Sequence, residues 1–251
     1  MRLGRDRSTG FDRQLTNPGP PATDQSPQTP LARVILTGCL VLLVFTGFIM
    51  ASVRLLGSEI ARAGHSTDTT TRQIVMGNEV LRVPANIIRF RSQRRATTTE
   101  RLDIYLLWPK MEGYSEQSKA QFNQTSVNPQ MLFVTVEPRL MTLDMSGRIE
   151  PIYSKFLLGI PVTAGHGLLK QGLDVQGGFI GEELWFEADS PYPFAARCTL
   201  AGAGSATPYC LRDIHAGRDL MVTYRFHQSL IGEWMDIDAA VRAQMKRMLV
   251  N

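Results

Sequence analysis

From Val34 to Val53 the chain reads VILTGCLVLLVFTGFIMASV, with no charged side chain inside and with Arg33 and Arg54 at its ends. About 20 apolar residues at a rise of 1.5 Å cover the ~30 Å hydrocarbon core of a bilayer, so the run is long enough to span one as a helix. A span there divides the chain into a short polar tail and a following region of 198 residues (251 − 53). That region has room for one globular domain with a core of its own.

Two other fates of an apolar segment near an N-terminus have to be weighed. Ala61-Arg62-Ala63 offers a cleavage site of the kind that follows a removable signal sequence. The apolar run exceeds the ~7–15 residues of a signal core, however, and the site lies well past its end, which favours a retained anchor. Leu36-Thr37-Gly38-Cys39 resembles the lipobox of bacterial lipoproteins, but the bulk of the apolar run follows the cysteine instead of preceding it. The match is read as chance within a Leu/Gly-rich helix.

The net charge of +4 carries little information about partners. The tail to Arg33 has five arginines against Asp6, Asp12 and Asp24 (5 − 3 = +2), and the remainder has 22 basic against 20 acidic residues (+2). A near-neutral domain lacks the basic footprint of a nucleic-acid binder. Cysteine is more informative. Cys39 lies in the span as a small apolar residue, while Cys198 and Cys210 flank TLAGAGSATPY, which reads as a hairpin loop. Two cysteines facing each other across such a loop suit a disulfide, and a disulfide persists in an oxidising compartment. The alternatives are two inert thiols, or half of a metal site for which only His215 is close in sequence.

Orientation follows from the cysteines more than from the charges. Arg2, Arg5, Arg7, Arg13 and Arg33 favour a cytoplasmic tail, but Arg54, Arg62 and Arg72 flank the other end of the span. The disulfide decides for a cytoplasmic N-terminus and an exported domain, which in a bacterium means a periplasmic domain on the inner membrane.

The expected organisation is a disordered, proline-rich tail (1–30), the transmembrane helix and its extension (31–62), a short polar linker (63–72) and an exported α+β domain (73–251). Within the domain, Arg101–Trp108, Leu132–Val136 and Phe179–Ala188 alternate like strands. Phe194–Leu200, Tyr209–Ile214 and Asp219–His227 form an antiparallel meander that places Cys198 opposite Cys210. Ile149, Ile152, Tyr153, Phe156 and Leu157 follow a helical period, as do Ile237, Val241, Met245, Met248 and Leu249 at the chain end. Asp236 is expected to cap that last helix, with Asp238 at its positive end and Lys246 and Arg247 at its negative end. The fold class is α+β: a single N-terminal transmembrane helix, then a mainly antiparallel β domain with a C-terminal amphipathic helix.

No motif rises to a reaction, and no cofactor or metal is expected. Gly165-His166-Gly167-Leu168-Leu169-Lys170 and Gly202-Ala203-Gly204 both fail the dinucleotide pattern, and Walker, GxSxG and HExxH sequences are absent. His65, His166, His215 and His227 are scattered singly. His166 with Asp174 and an unidentified serine is the one hydrolytic constellation available. Asp174, Glu182, Glu183, Glu187 and Asp189 form an acidic stretch whose carboxylates read as a solvent-facing row on the side of Trp185. The opposite charge gathers at Arg82, Arg89, Arg91, Arg94, Arg95 and Arg101, against Glu100 alone (6 − 1 = +5). That patch suits anionic lipid headgroups, a ligand or phosphate, internal pairing with the acidic stretch, or simply a solvated loop and strand edge. Asn123-Gln124-Thr125 fits an N-glycosylation acceptor.

The expected function is therefore a non-enzymatic binding or interaction module, anchored in the lipid bilayer by one helix and facing an envelope protein partner. A membrane-tethered periplasmic hydrolase is the alternative, and a third reading makes the tail a docking segment for a cytosolic factor.

Overall fold

Hydrophobic alternation punctuated by tight turns dominates the chain beyond residue 70, and the resulting strands are nearly all antiparallel. The computed structural model describes residues 30–61, 64–124, 128–200, 202 and 207–250, with 54–61 described as backbone only. Residues 1–29 of the expected disordered tail, Arg62 and Ala63 of the cleavage-like site, and Thr125 of the glycosylation pattern lie outside the described residues. The chain divides into two compact units, Met1–Leu55 and Leu56–Asn251.

The helix α1, Pro30–Ala61, dominates the first unit. Its stretch Pro30–Val53 is long and apolar enough to cross a membrane, and none of that stretch is buried. Proline suits a first helical position, because its missing N–H has no intrahelical partner there. Inside the apolar run, the hydroxyls of Thr37 and Thr46 donate to the carbonyls of Arg33 and Leu42 at 2.7 Å, so neither polar group needs water.

The second unit begins its regular structure with a hairpin of β1 (Thr71–Met76) and β2 (Glu79–Pro84). Gly77 supplies the positive φ (+56°) that the two-residue Gly77-Asn78 turn demands. Ile74, Met76, Leu81 and Val83 line its buried side. An eight-stranded sheet follows: β3 (Leu102–Leu107), β4 (Met131–Pro138), β5 (Leu157–Gly165), β6 (Leu168–Leu173), β7 (Glu182–Glu187), β8 (Ala195–Thr199), β9 (Tyr209–Ala216) and β10 (Leu220–His227). The spatial order is β3-β4-β10-β9-β8-β7-β6-β5, so the last strand of the sequence lies between β4 and β9. A one-turn helix α2 (Lys119–Phe122) interrupts the β3–β4 connection, and α3 (Trp234–Met248) closes the chain.

One face of the sheet is largely apolar and covered. Leu102, Ile104 and Leu106 of β3, Leu132, Val134 and Val136 of β4, and Val222, Tyr224 and Phe226 of β10 pack with Trp234, Ile237, Val241, Met245 and Met248 of α3. Each such side chain contributes roughly 1.5–3 kcal/mol when fully buried, so the α3 contact is a principal source of cohesion. The hairpin joins the same core: Leu81 bridges Leu249, and Val250 N–H donates to Val80 C=O at 2.9 Å. The other face carries two separate apolar covers. Met145, Tyr153, Leu173, Leu184 and Ala195 form one, and Tyr105, Leu107, Tyr114 and Met131 form the other.

Cys198 and Cys210 are register partners on β8 and β9 and form a disulfide, with Cα atoms 4.0 Å apart. Ladder pairing between these strands is confined to two positions, Arg197↔Leu211 and Cys198↔Cys210. Beside it, Arg212 supplies hydrogen bonds that the ladder lacks. Its guanidinium donates to Ala195 C=O at 2.9 Å and to Ser146 Oγ at 3.1 Å, lies 4.6 Å from the Phe194 ring centroid, and pairs with Asp238 of α3 at 3.0 Å.

Three expectations need correction. The helical period at Ile149–Leu157 does not make an α-helix: Tyr153–Phe156 is a 3-10 turn and Leu157 opens β5. Pro151 has no N–H for a helical ladder, while Ile152 and Tyr153 both donate to Arg148 C=O. The spacing instead reflects packing, since Ile149, Tyr153, Phe156 and Leu157 gather in one apolar cover. The face of Glu183, Trp185 and Glu187 is not a solvent row either, because Trp185 belongs to the main core. Finally, α3 starts at Trp234, so Asp236 sits in its first turn instead of capping it, and Asp238 turns inward to Arg212.

The β5 edge is irregular. It carries exposed Leu158, Ile160 and Val162, and its register with β6 shifts twice.

Candidate functional site

Between the two apolar covers the outer face of the sheet stays open as a groove of about 270 Å³. Its floor comes from register pairing of three strands. Phe133 of β4 stands opposite Arg225 of β10, which stands opposite Leu211 of β9, and Thr135 lies between Asp103 and Thr223. The connection before β3 supplies Arg89, whose N–H donates to Asp103 C=O at 2.9 Å next to the Ile88↔Ile104 bridge.

One end of the groove is electrostatically closed. Asp103 accepts from Arg101 (2.9 and 3.0 Å), from Gln93 Nε2 (3.0 Å) and from Thr135 Oγ1 (3.0 Å), and Arg101 also pairs with Glu137 at 2.9 Å. Burial alone would raise the Asp103 carboxyl, but these donors and the Arg101 charge outweigh it and hold the group below the usual carboxylate range.

The other end is open. The guanidiniums of Arg89 and Arg225 lie 5.0 and 4.9 Å from the Phe133 ring centroid, and Arg225 also lies 5.2 Å from the Tyr209 ring. Neither arginine makes an ion pair among the described residues, since both groove carboxylates are engaged by Arg101. Two cations held around one aromatic ring at a groove have the chemistry to accept a carboxylate or another planar anion. Arg, Tyr and Phe are also the side chains enriched at the centres of protein interfaces.

The six arginines singled out from sequence do not form one surface. Arg89 and Arg101 line the groove, Arg82 is exposed on β2, and Arg91, Arg94 and Arg95 line a second cleft with His65 and Arg72. They do not pair with the main part of the acidic stretch: Glu182 pairs with Arg197 (3.2 Å), Glu183 with Lys170 (3.3 Å), and Glu187 accepts from Phe194 N–H. Arg225, Phe133 and Tyr209 escaped the sequence reading because they lie on three strands and meet only through register.

The hydrolytic constellation is not assembled. His166 is exposed in the β5–β6 turn with φ +54°, whereas Asp174 follows the far end of β6 and accepts from Gln176 N–H at 2.9 Å. A strand of that length separates them by roughly 20 Å at ~3.3 Å per residue. His227 accepts from Ser229 N–H, and His65 bonds to Tyr105 at 3.0 Å and stacks on Tyr114. Among the described residues, no group of three or more His, Cys, Asp or Glu side chains converges.

No family model matches this chain, and no curated protein sequence matches it. Among solved structures the chain is similar to Smlt3025, an immunity protein of the Stenotrophomonas maltophilia type IV secretion system. The TM-score is 0.54 at 12% identity, covering 75% of this chain and 96% of that one. It is also similar to the iron-regulated outer membrane lipoprotein FrpD of Neisseria meningitidis, with a TM-score of 0.49 at 10% identity over 74% of this chain and 96% of that one. The first likeness shows a common fold; the second is too slight to add to it.

Proposed function

We propose that this chain is a single-pass membrane protein whose domain acts as a non-enzymatic binding module at the cell envelope, with the Arg89–Phe133–Arg225 groove as its docking site. The observation that carries this reading is the groove itself: a gap in the apolar covering of the sheet, floored by an aromatic ring and two arginines that have no carboxylate partner among the described residues. Such a surface is suited to an acidic segment of a protein partner. The fold shared with an immunity protein of a secretion system supports a binding role, and the apolar stretch of α1 supports anchoring. The disulfide supports the orientation in which the tail is cytoplasmic and the domain lies outside the inner membrane, in the periplasm.

Photocrosslinking from Thr223, inside the groove, tests the docking site in the full-length, membrane-inserted chain. A discrete protein adduct is expected, and Arg89→Glu with Arg225→Glu is expected to weaken it about 30-fold or more, the effect of losing a hot spot of at least ~2 kcal/mol. A folded, anchored protein giving no adduct from Thr223 would overturn the groove. Reporter fusions at each terminus test the orientation; activity of a cytoplasm-specific reporter at the C-terminus would reverse it.

A further inference from the structure

The second arginine cleft, about 310 Å³ in volume, is built from the first residues of the domain. His65, Ser66, Thr67, Asp68 and Arg72 form one wall, and Arg91, Arg94 and Arg95 form the other. Gly64 follows Val53, the end of the apolar stretch, by 11 residues (64 − 53), so the cleft is covalently tethered close to a bilayer that holds the stretch.

The cleft is held together by its own chemistry. Arg94 donates to Ile88 C=O at 2.8 Å, to Arg89 C=O at 3.3 Å and to Gly64 C=O, pinning the chain after the helix to the turn at 85–95. Asp68 accepts from Thr70 N–H at 2.8 Å and pairs with Arg72 at 3.0 Å. Four arginines and one carboxylate line the cleft, a balance of 4 − 1 = +3. Burial and then the charges of Arg94 and Arg89 hold the His65 imidazole below its ordinary range.

We infer that this cleft binds the phosphate groups of anionic lipid headgroups and so docks the domain onto the membrane that anchors it. Arginine suits phosphate because its planar donors meet two oxygens at once, and basic side chains gain energy near an anionic surface. Arg91 and Arg95 are the exposed arginines of the cleft, and Arg94, more buried, donates to backbone carbonyls. The inference does not depend on the groove reading, because no cleft residue lines the groove.

The test uses the full-length chain in nanodiscs of phosphatidylcholine alone or of an equal mixture with phosphatidylglycerol, with hydrogen exchange read over residues 85–99. Protection is expected in the anionic discs only and should vanish at high salt. Arg91→Gln with Arg95→Gln is expected to lower the docked-to-undocked ratio about 30-fold, at ~1 kcal/mol per residue, whereas Arg82→Gln, outside the cleft, should leave it unchanged. Equal exchange in both discs, or protection indifferent to the double substitution, would overturn the inference. Millimolar inorganic phosphate protecting the segment equally in neutral discs would reassign the cleft to a soluble anion. Crosslinking from Thr223 reads the groove separately.

Discussion

Arg212 and Arg225 sit on adjacent strands, β9 and β10, on opposite faces of the sheet, and their surroundings differ accordingly. Arg212 is 2% exposed and fully engaged by Asp238, Ser146, Ala195 and Phe194. Asp238 in turn accepts from the Tyr224 hydroxyl at 2.7 Å and from Arg242 at 2.7 Å. Arg225 is half-buried, lies over the rings of Phe133 and Tyr209 and faces a groove. The same residue type is thus structural where its donors are consumed inside the fold and receptive where they are left over. The contrast separates residues that hold the sheet and α3 together from residues proposed to meet a partner.

Substitution of the two arginines is the sharpest way to break that contrast. Arg212→Ala leaves Asp238 short of a partner in a buried site and is expected to cost about 3–5 kcal/mol. Urea unfolding followed by the fluorescence of Trp108, Trp185 and Trp234, all buried in the second unit, would measure it. Replacing both Cys198 and Cys210 with Ser opens a link between residues 12 apart and is expected to cost about 3 kcal/mol by the loss of loop constraint, read in the same assay.

Acid titration should separate the covered network from its surroundings. Burial would raise the Asp238 carboxyl, but Arg212, Arg242 and Tyr224 together hold it below the usual range. A depressed carboxylate gives stability that is complete above its unfolded pKa, near 3.9, and is lost as pH falls through the lower folded value. Asp103 is shifted the same way, so unfolding midpoints should be flat near neutrality and fall below about pH 4. Arg212→Ala should blunt that fall. A midpoint that declines steeply between pH 7 and 5 instead would remove these two aspartates as the cause.

Arg225→Ala should cost only about 1 kcal/mol of stability, the size of a partly desolvated cation–π contact, while abolishing the crosslink from Thr223. If it destabilises as much as Arg212→Ala, the two faces are equivalent and the groove loses its distinction. Smallest of all, Arg101→Ala removes a cation that is itself 58% exposed and leaves the buried Asp103 carboxylate with Gln93 and Thr135 as donors, so it should cost about 1 kcal/mol.

The parts legible in the sequence were those in which local pattern and tertiary role coincide. The uncharged run of α1, the strands around the cysteines and the apolar stripe of α3 each carry a period matching the element formed. The β1–β2 hairpin went unread because its turn is Gly77-Asn78, not the stronger Asn-Gly order, and it sits beside a polar linker. On β3 the alternation was real but did not mark a solvent face, since Tyr105 lies under Tyr114 and Phe122. Burial pushes the Tyr105 hydroxyl up to about 12, which fits that cover. The groove was invisible for a different reason: Phe133 and Arg225 are 92 residues apart (225 − 133) and meet only by β4–β10 register. Periodicity reports which side of a strand a residue takes, but not which residue of another strand it meets.

The position of β10 has a kinetic consequence. Pro138 on β4 pairs with Leu220, 82 residues later (220 − 138), and β9 needs the same strand on its other side. A chain emerging N-terminus first, from a ribosome or through a membrane pore, must therefore hold β3–β4 and the meander β5–β9 apart until β10 appears. Assembly of the sheet is thus tied to the arrival of β10, and a chain truncated before that strand should leave two unjoined β fragments for quality-control proteases to clear.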